Sequence, residues 1–172
     1  MAPVWEQYKN WRERKRAQTL VESLEAWHTT CVEVTRICRQ ALFEPAVMDG
    51  DIGEVLDKVD RKLYQFRNQM TDARGEIKRY DPQLAKRLTQ VTEEVYTLRN
   101  QTARFLIRAQ GPHPFATGRP TDPKERSAYY LKALEDAGYQ GRKVVDELKS
   151  NADSLWGDLQ VLLEKAHRVL EA

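Results

Sequence analysis

The chain has 172 residues, 41% hydrophobic and 31% charged, a size that suits one ordinary domain. Its 8 Gly and 7 Pro exclude collagen-like and low-complexity classes, and the apolar share is too high for a disordered chain. Lys plus Arg number 28 against 26 for Asp plus Glu, so the net charge of +2 argues against a protein built chiefly to coat nucleic acid; no apolar run reaches the length of a membrane span.

Residues 1–16, MAPVWEQYKNWRERKR, are charged and aromatic and lack the apolar core of a secretory signal. Val4, Tyr8 and Trp11 form a stripe out of phase with the apolar positions that follow. This extension is therefore expected to face another direction, or to pack on an overhang of the last helix.

The first helix is predicted over 3–43. Its seam is Leu20, Leu24, Trp27, Cys31, Val34, Cys38 and Ala41, in alternating steps of 4 and 3. On one helix Cys31 and Cys38 stand about 10.5 Å apart along the axis, too far to bridge. They read as buried free thiols of a reducing cytoplasm, not as a zinc pair.

The second helix, 52–79, opens on a capping box of Asp51 and Glu54. It carries Ile52, Leu56, Val59, Leu63, Phe66, Met70, Ala73, Ile77 and Tyr80 at the same spacing. The third, 82–110, takes Asp81 as cap and Pro82 in the first turn. Its seam runs through Leu84, Leu88, Val91, Val95, Leu98, Thr102, Phe105 and Ala109. A long Pro-rich connection over 111–122 presents Phe115. The fourth helix, 123–171, repeats the cap with Asp122, Pro123 and Glu125. Its seam starts at Leu131 and Leu134, passes Gly138 and Gly141, and runs through Val145 to Val169.

Four narrow seams with short first connections predict an all-α, antiparallel up-down-up-down four-helix bundle with long first and last helices, one domain over 1–172. The long helices are expected to overhang one end. Gly138 and Gly141 fall near Val34, Cys38 and Ala41, so small side chains face small ones and close packing is expected ahead of a ligand cavity.

Two Glu-x-x-His motifs, Glu25 to His28 and Glu164 to His167, resemble the ligand pattern of ferritin-like di-iron bundles, which implies an iron site. Phase argues otherwise. The seam residues Leu24 and Trp27 turn Glu25 and His28 to a flank, and Leu162 and Ala166 turn Glu164 and His167 outward. With His167 expected near residue 8 of the first helix, the two histidines stand about 30 Å apart. No metal and no cofactor is expected.

Arg108-Ala-Gln-Gly-Pro-His113 resembles the Arg-x4-6-His pattern of HEPN ribonucleases, themselves helical bundles. The resemblance covers six residues. It implies Arg108 and His113 as catalytic candidates, one binding a scissile phosphate and one moving a proton. Gly111-Pro112 breaks the helix between them, and Ala109 stands where that family often has a polar residue.

The leading expectation is a non-catalytic cytoplasmic interaction module that self-associates as a homo-oligomer or docks a protein partner. Trp5, Tyr8, Trp11, Arg12, Arg16 and Phe115 are its contact residues, since exposed aromatics with Arg have the composition of an interface. Nucleic-acid binding is the alternative, through Arg14, Lys15, Arg99, Arg104, Arg108 and Arg119. The two glutamates and the short apolar face of the N-terminal segment argue against membrane binding.

Overall fold

The computed structural model describes residues 2–43, 52–109 and 122–172. Four helices follow in order: α1 (Val4–Phe43), α2 (Ile52–Tyr80), α3 (Pro82–Ala109) and α4 (Pro123–Glu171). Each boundary lies within a residue of its sequence expectation. Asp81 caps α3 by accepting from the backbone N–H groups of Gln83 and Leu84 at 2.9 and 3.2 Å. Asp122 caps α4 by accepting from the Lys124 N–H at 2.9 Å, with Pro123 in the first turn. The expected capping residue of α2, Asp51, lies outside the described residues.

The seams meet in one core. Leu24, Trp27 and Val34 of α1 are wholly buried, as are Ala73 and Ile77 of α2, Leu88, Val95 and Leu98 of α3, and Leu148, Leu155 and Leu159 of α4. Each large apolar side chain so covered stabilises the fold by roughly 1.5–3 kcal/mol relative to exposure. The cross-section is not square. α1 packs on all three other helices, including its diagonal neighbour α3, whereas the backbones of the described parts of α2 and α4 do not approach closely. The core is therefore centred on the α1–α3 diagonal.

Antiparallel register is fixed by polar pairs at the rim. Glu33 of α1 pairs with Lys62 of α2, and Asp60 of α2 holds Arg99 of α3. Arg87 of α3 pairs with Asp158 of α4, and the Arg14 guanidinium of α1 donates to the Ala172 carbonyl oxygen at the end of α4.

This register corrects four expectations. The long helices project from opposite ends: α2 and α4 finish beside residues 13–17 of α1, so α1 projects alone through residues 4–12, while α4 begins beyond the other end. Leu131, expected in the α4 seam, is accordingly 61% exposed, because none of the described helices α1, α2 and α3 reaches its level. Tyr80, the last seam position of α2, is the final residue of that helix and is 65% exposed. His28 meets Trp156, only eleven residues from His167 along α4, so the two histidines are about 16 Å apart along the axis rather than 30.

At the level of Gly138 and Gly141 the glycines face the large side chains of Phe105 and Leu42, not the small residues expected. A Cβ on Gly141 would stand 2.7 and 2.9 Å from the Leu42 methyl groups, and one on Gly138 would meet the Phe105 ring at 3.2 Å. Contact between neighbouring side chains, not a cavity, accounts for both glycines.

Candidate functional site

The projecting part of α1 is the least typical feature of the bundle. Pro3 supplies the first acceptor, its carbonyl taking the N–H groups of Glu6 and Gln7 at 2.9 and 3.2 Å. From there to Lys15 every residue is exposed. Continuing the seam of α1 toward its start gives Glu13, Asn10 and Glu6, polar residues with no core to enter. The apolar residues lie about half a turn away, on the solvent side of the helix.

These residues touch each other. The rings of Trp5 and Tyr8 stack with centroids 6.3 Å apart, and those of Tyr8 and Trp11 lie at 5.9 Å. The Lys15 ammonium sits 5.1 Å above the Trp11 ring, a cation–π contact that ends the row. Exposure runs from 83% at Val4 through 72% at Trp5 to 50% at Tyr8 and 56% at Trp11. Spacing at i, i+3 and i+6 puts the three rings on one face.

At the base of this projection α1, α2 and α4 enclose a cleft of about 230 Å³. Ala17, Leu20, Leu162 and Val169 line its apolar floor, and Arg16, Glu76, Tyr80 and Lys165 its rim. Arg16 approaches Glu76 at 3.8 Å, and Arg79 reaches the same carboxylate at 3.7 Å. Arg12 is exposed, whereas Arg14 is tied to the end of α4.

The second basic region is placed differently. Arg99 makes a fork on Asp60, with Nε and Nη2 at 2.7 and 2.5 Å, and the hydrogen bonds to that carboxylate raise the guanidinium pKa further. Arg108 donates to the Ala133 carbonyl at 3.0 Å and so ties α3 to the start of α4. Arg104 is exposed. His113, Phe115 and Arg119 lie outside the described residues, so the proposed Arg108–His113 pairing does too.

The Glu-x-x-His motifs diverge as the phase requires. Glu25, Glu164 and His167 are exposed, and no group of three or more His, Cys, Asp or Glu among the described residues converges on a metal position. His28 instead lies flat on Trp156, with centroids 4.1 Å apart and planes 10° from parallel. Trp27 lies 6.3 Å from Trp156 with its indole N–H buried and without a described partner. Burial lowers the His28 pKa below its usual 6.5, and the Asp153 carboxylate opposes the shift. This ring stack across α1 and α4 was not read from the sequence; His28 and Trp156 are far apart in the chain, and only the register brings them together.

Both cysteines are free and buried. Burial pushes the Cys31 thiol up to about 12 and raises that of Cys38, which the Thr102 hydroxyl and the Arg99 charge partly pull back. Neither forms a thiolate near neutral pH. No described helix is long and apolar enough to cross a membrane.

Comparison with protein families, curated proteins and solved structures finds no match.

Proposed function

We propose that this chain is a non-catalytic helical interaction module that docks a protein partner through residues 4–16 of α1. One observation carries the reading: a row of stacked, exposed aromatic rings on a helix that has left the bundle. Rigid aromatics on a preformed helix supply large contact area at low entropic cost, and such residues dominate interface energetics. Arg12 and Arg16 flank the row, and the cleft beside Arg16 offers an apolar recess to a partner side chain.

The charge of the segment favours an unlike partner over a second copy. Residues 1–16 hold five cations against Glu6 and Glu13. Two such segments laid together would repel, so the partner surface is apolar with an acidic border. Several residues that the sequence offered for other chemistry are committed to structure: Arg99 to Asp60, Arg108 to a backbone carbonyl, and both thiols to the core. Free buried thiols suit a reducing cytoplasm.

The test pairs Trp5→Ala with Trp11→Ala. The double variant keeps the wild-type helical signal and loses the proteins that cross-link to wild-type chain in cells. The same cross-linked set at the same yield would sink the reading. So would light scattering that shows a wild-type dimer which the double variant dissolves, since the occupant is then a second copy.

A further inference from the structure

The chain's charge is not spread evenly. Residues 61–92, the turn half of the α2–α3 hairpin, carry eight Lys and Arg against Asp72, Glu76 and Asp81. Three of those cations are spent on ion pairs, Lys62 with Glu33, Arg79 with Glu76 and Arg87 with Asp158. Four of the others, Arg67, Arg74, Lys78 and Lys86, are exposed and have no ion pair with any described residue.

Those four share one place. The outer groove between α2 and α3 has two stretches, of about 540 and 380 Å³, that both include Arg74 and Thr89. Arg67 stands at one stretch, Lys78 and Lys86 at the other, and Glu93 is the acid beside Arg67. From Arg67 to Lys78 the row spans about 16 Å. Arg74 and Lys78 are like charges at i, i+4, an arrangement that destabilises a helix unless an anion relieves it.

We propose that the groove between α2 and α3 binds single-stranded nucleic acid, with Arg67, Arg74, Lys78 and Lys86 on successive phosphates. Aromatic faces for bases stand on the same surface: Tyr96 lines the groove, its hydroxyl donating to the Leu63 carbonyl at 3.4 Å, and Tyr64, three residues before Arg67, is 73% exposed. The hydroxyls of Thr71, Thr89 and Thr92 donate to the carbonyls of Arg67, Ala85 and Leu88, so toward the groove they offer acceptors that suit base amino groups. An acidic helix would need apolar anchor pockets, but the floor residues Met70 and Leu88 are already 8% and 0% exposed. Packed helices lie only about 8–10 Å apart, which gives a furrow for one strand and not for a duplex.

Fluorescence anisotropy with a labelled 20-residue oligothymidine tests the site. Binding at 50 mM salt is expected to weaken steeply by 200 mM. The variant Arg67→Ala, Arg74→Ala, Lys78→Ala, Lys86→Ala replaces exposed helix residues with a good helix former and stays folded by circular dichroism. It is expected to lose at least tenfold in affinity, and its slope of log K against log salt flattens by about 3, at about 0.7 per phosphate. Substituting Arg12, Arg14, Lys15 and Arg16 by Ala leaves the oligonucleotide affinity within a factor of about three. The proposal fails if the wild type does not bind, if the groove variant binds equally well, or if the N-terminal variant loses as much. Equal competition by an oligoglutamate of the same charge would also overturn it, because the groove would then read charge alone.

Discussion

Within α1, residues 17–42 and residues 4–15 share one unbroken run of backbone hydrogen bonds but not the same neighbours. The first stretch buries Leu20, Leu24, Trp27, Cys31, Val34 and Cys38 against three other helices. The second buries none, and its apolar face is turned outward. The difference separates two uses of aromatic residues. Trp27 lies wholly inside and holds the fold, whereas Trp5 and Trp11, 72% and 56% exposed, are left to meet something else.

The largest expected effect breaks the comparison directly. Trp27→Ala empties the widest side chain of the core, against Trp156 and His28, and is expected to cost about 3–5 kcal/mol. Trp5→Ala and Trp11→Ala remove only exposed surface and are expected to stay within about 0.5 kcal/mol each. Denaturant melts of the three variants decide it. A loss above about 1 kcal/mol at Trp5 or Trp11 would mean that the projection packs on the bundle and is not free to dock.

A smaller contrast comes from glycines in α4. Gly157 is exposed with nothing within 4 Å of a Cβ, so Gly157→Ala is expected to stabilise by about 1 kcal/mol through helix propensity. Gly141→Ala gains the same propensity but drives a methyl into the buried Leu42 side chain, at a cost of about 1–3 kcal/mol. Its net effect is expected to be zero to destabilising. If both variants gain equally in thermal melts, α1 and α4 are not in close contact at that level.

How far the sequence could be read follows the same physics. The 4-3 spacing of each seam is local and repeats many times, so four helices and their buried faces were legible, as were the caps at Asp81 and Asp122. Register is not local. Where α4 stops along α1 depends on pairs such as Arg14 with Ala172 and Leu42 with Gly141, and without them the projections were assigned to one end and Leu131 to the core. The aromatic row was legible because its members sit three residues apart on one helix. The α2–α3 cations were missed because they alternate with neutral residues along two helices and form a row only once those helices pair.

The smallest effect sharpens the α1–α4 contact beside Trp27. Burial against Trp156 favours neutral His28, so its folded pKa lies below the unfolded value of 6.5. The unfolded chain then binds more protons between those two values, and stability must rise with pH across that window. The contribution of His28 is therefore complete above pH 6.5 and is lost as the pH falls through that value toward the folded pKa. His28→Phe keeps a flat ring on Trp156 but cannot charge. The variant is expected to lose less stability than the wild type between pH 7.5 and 5.5, and titration of the His28 ring by NMR should give a midpoint below 6.5. A midpoint at or above 6.5 would mean that Asp153 outweighs burial, that the imidazolium sits comfortably on the indole face, and that this edge of the core is wetter than the ring stack implies.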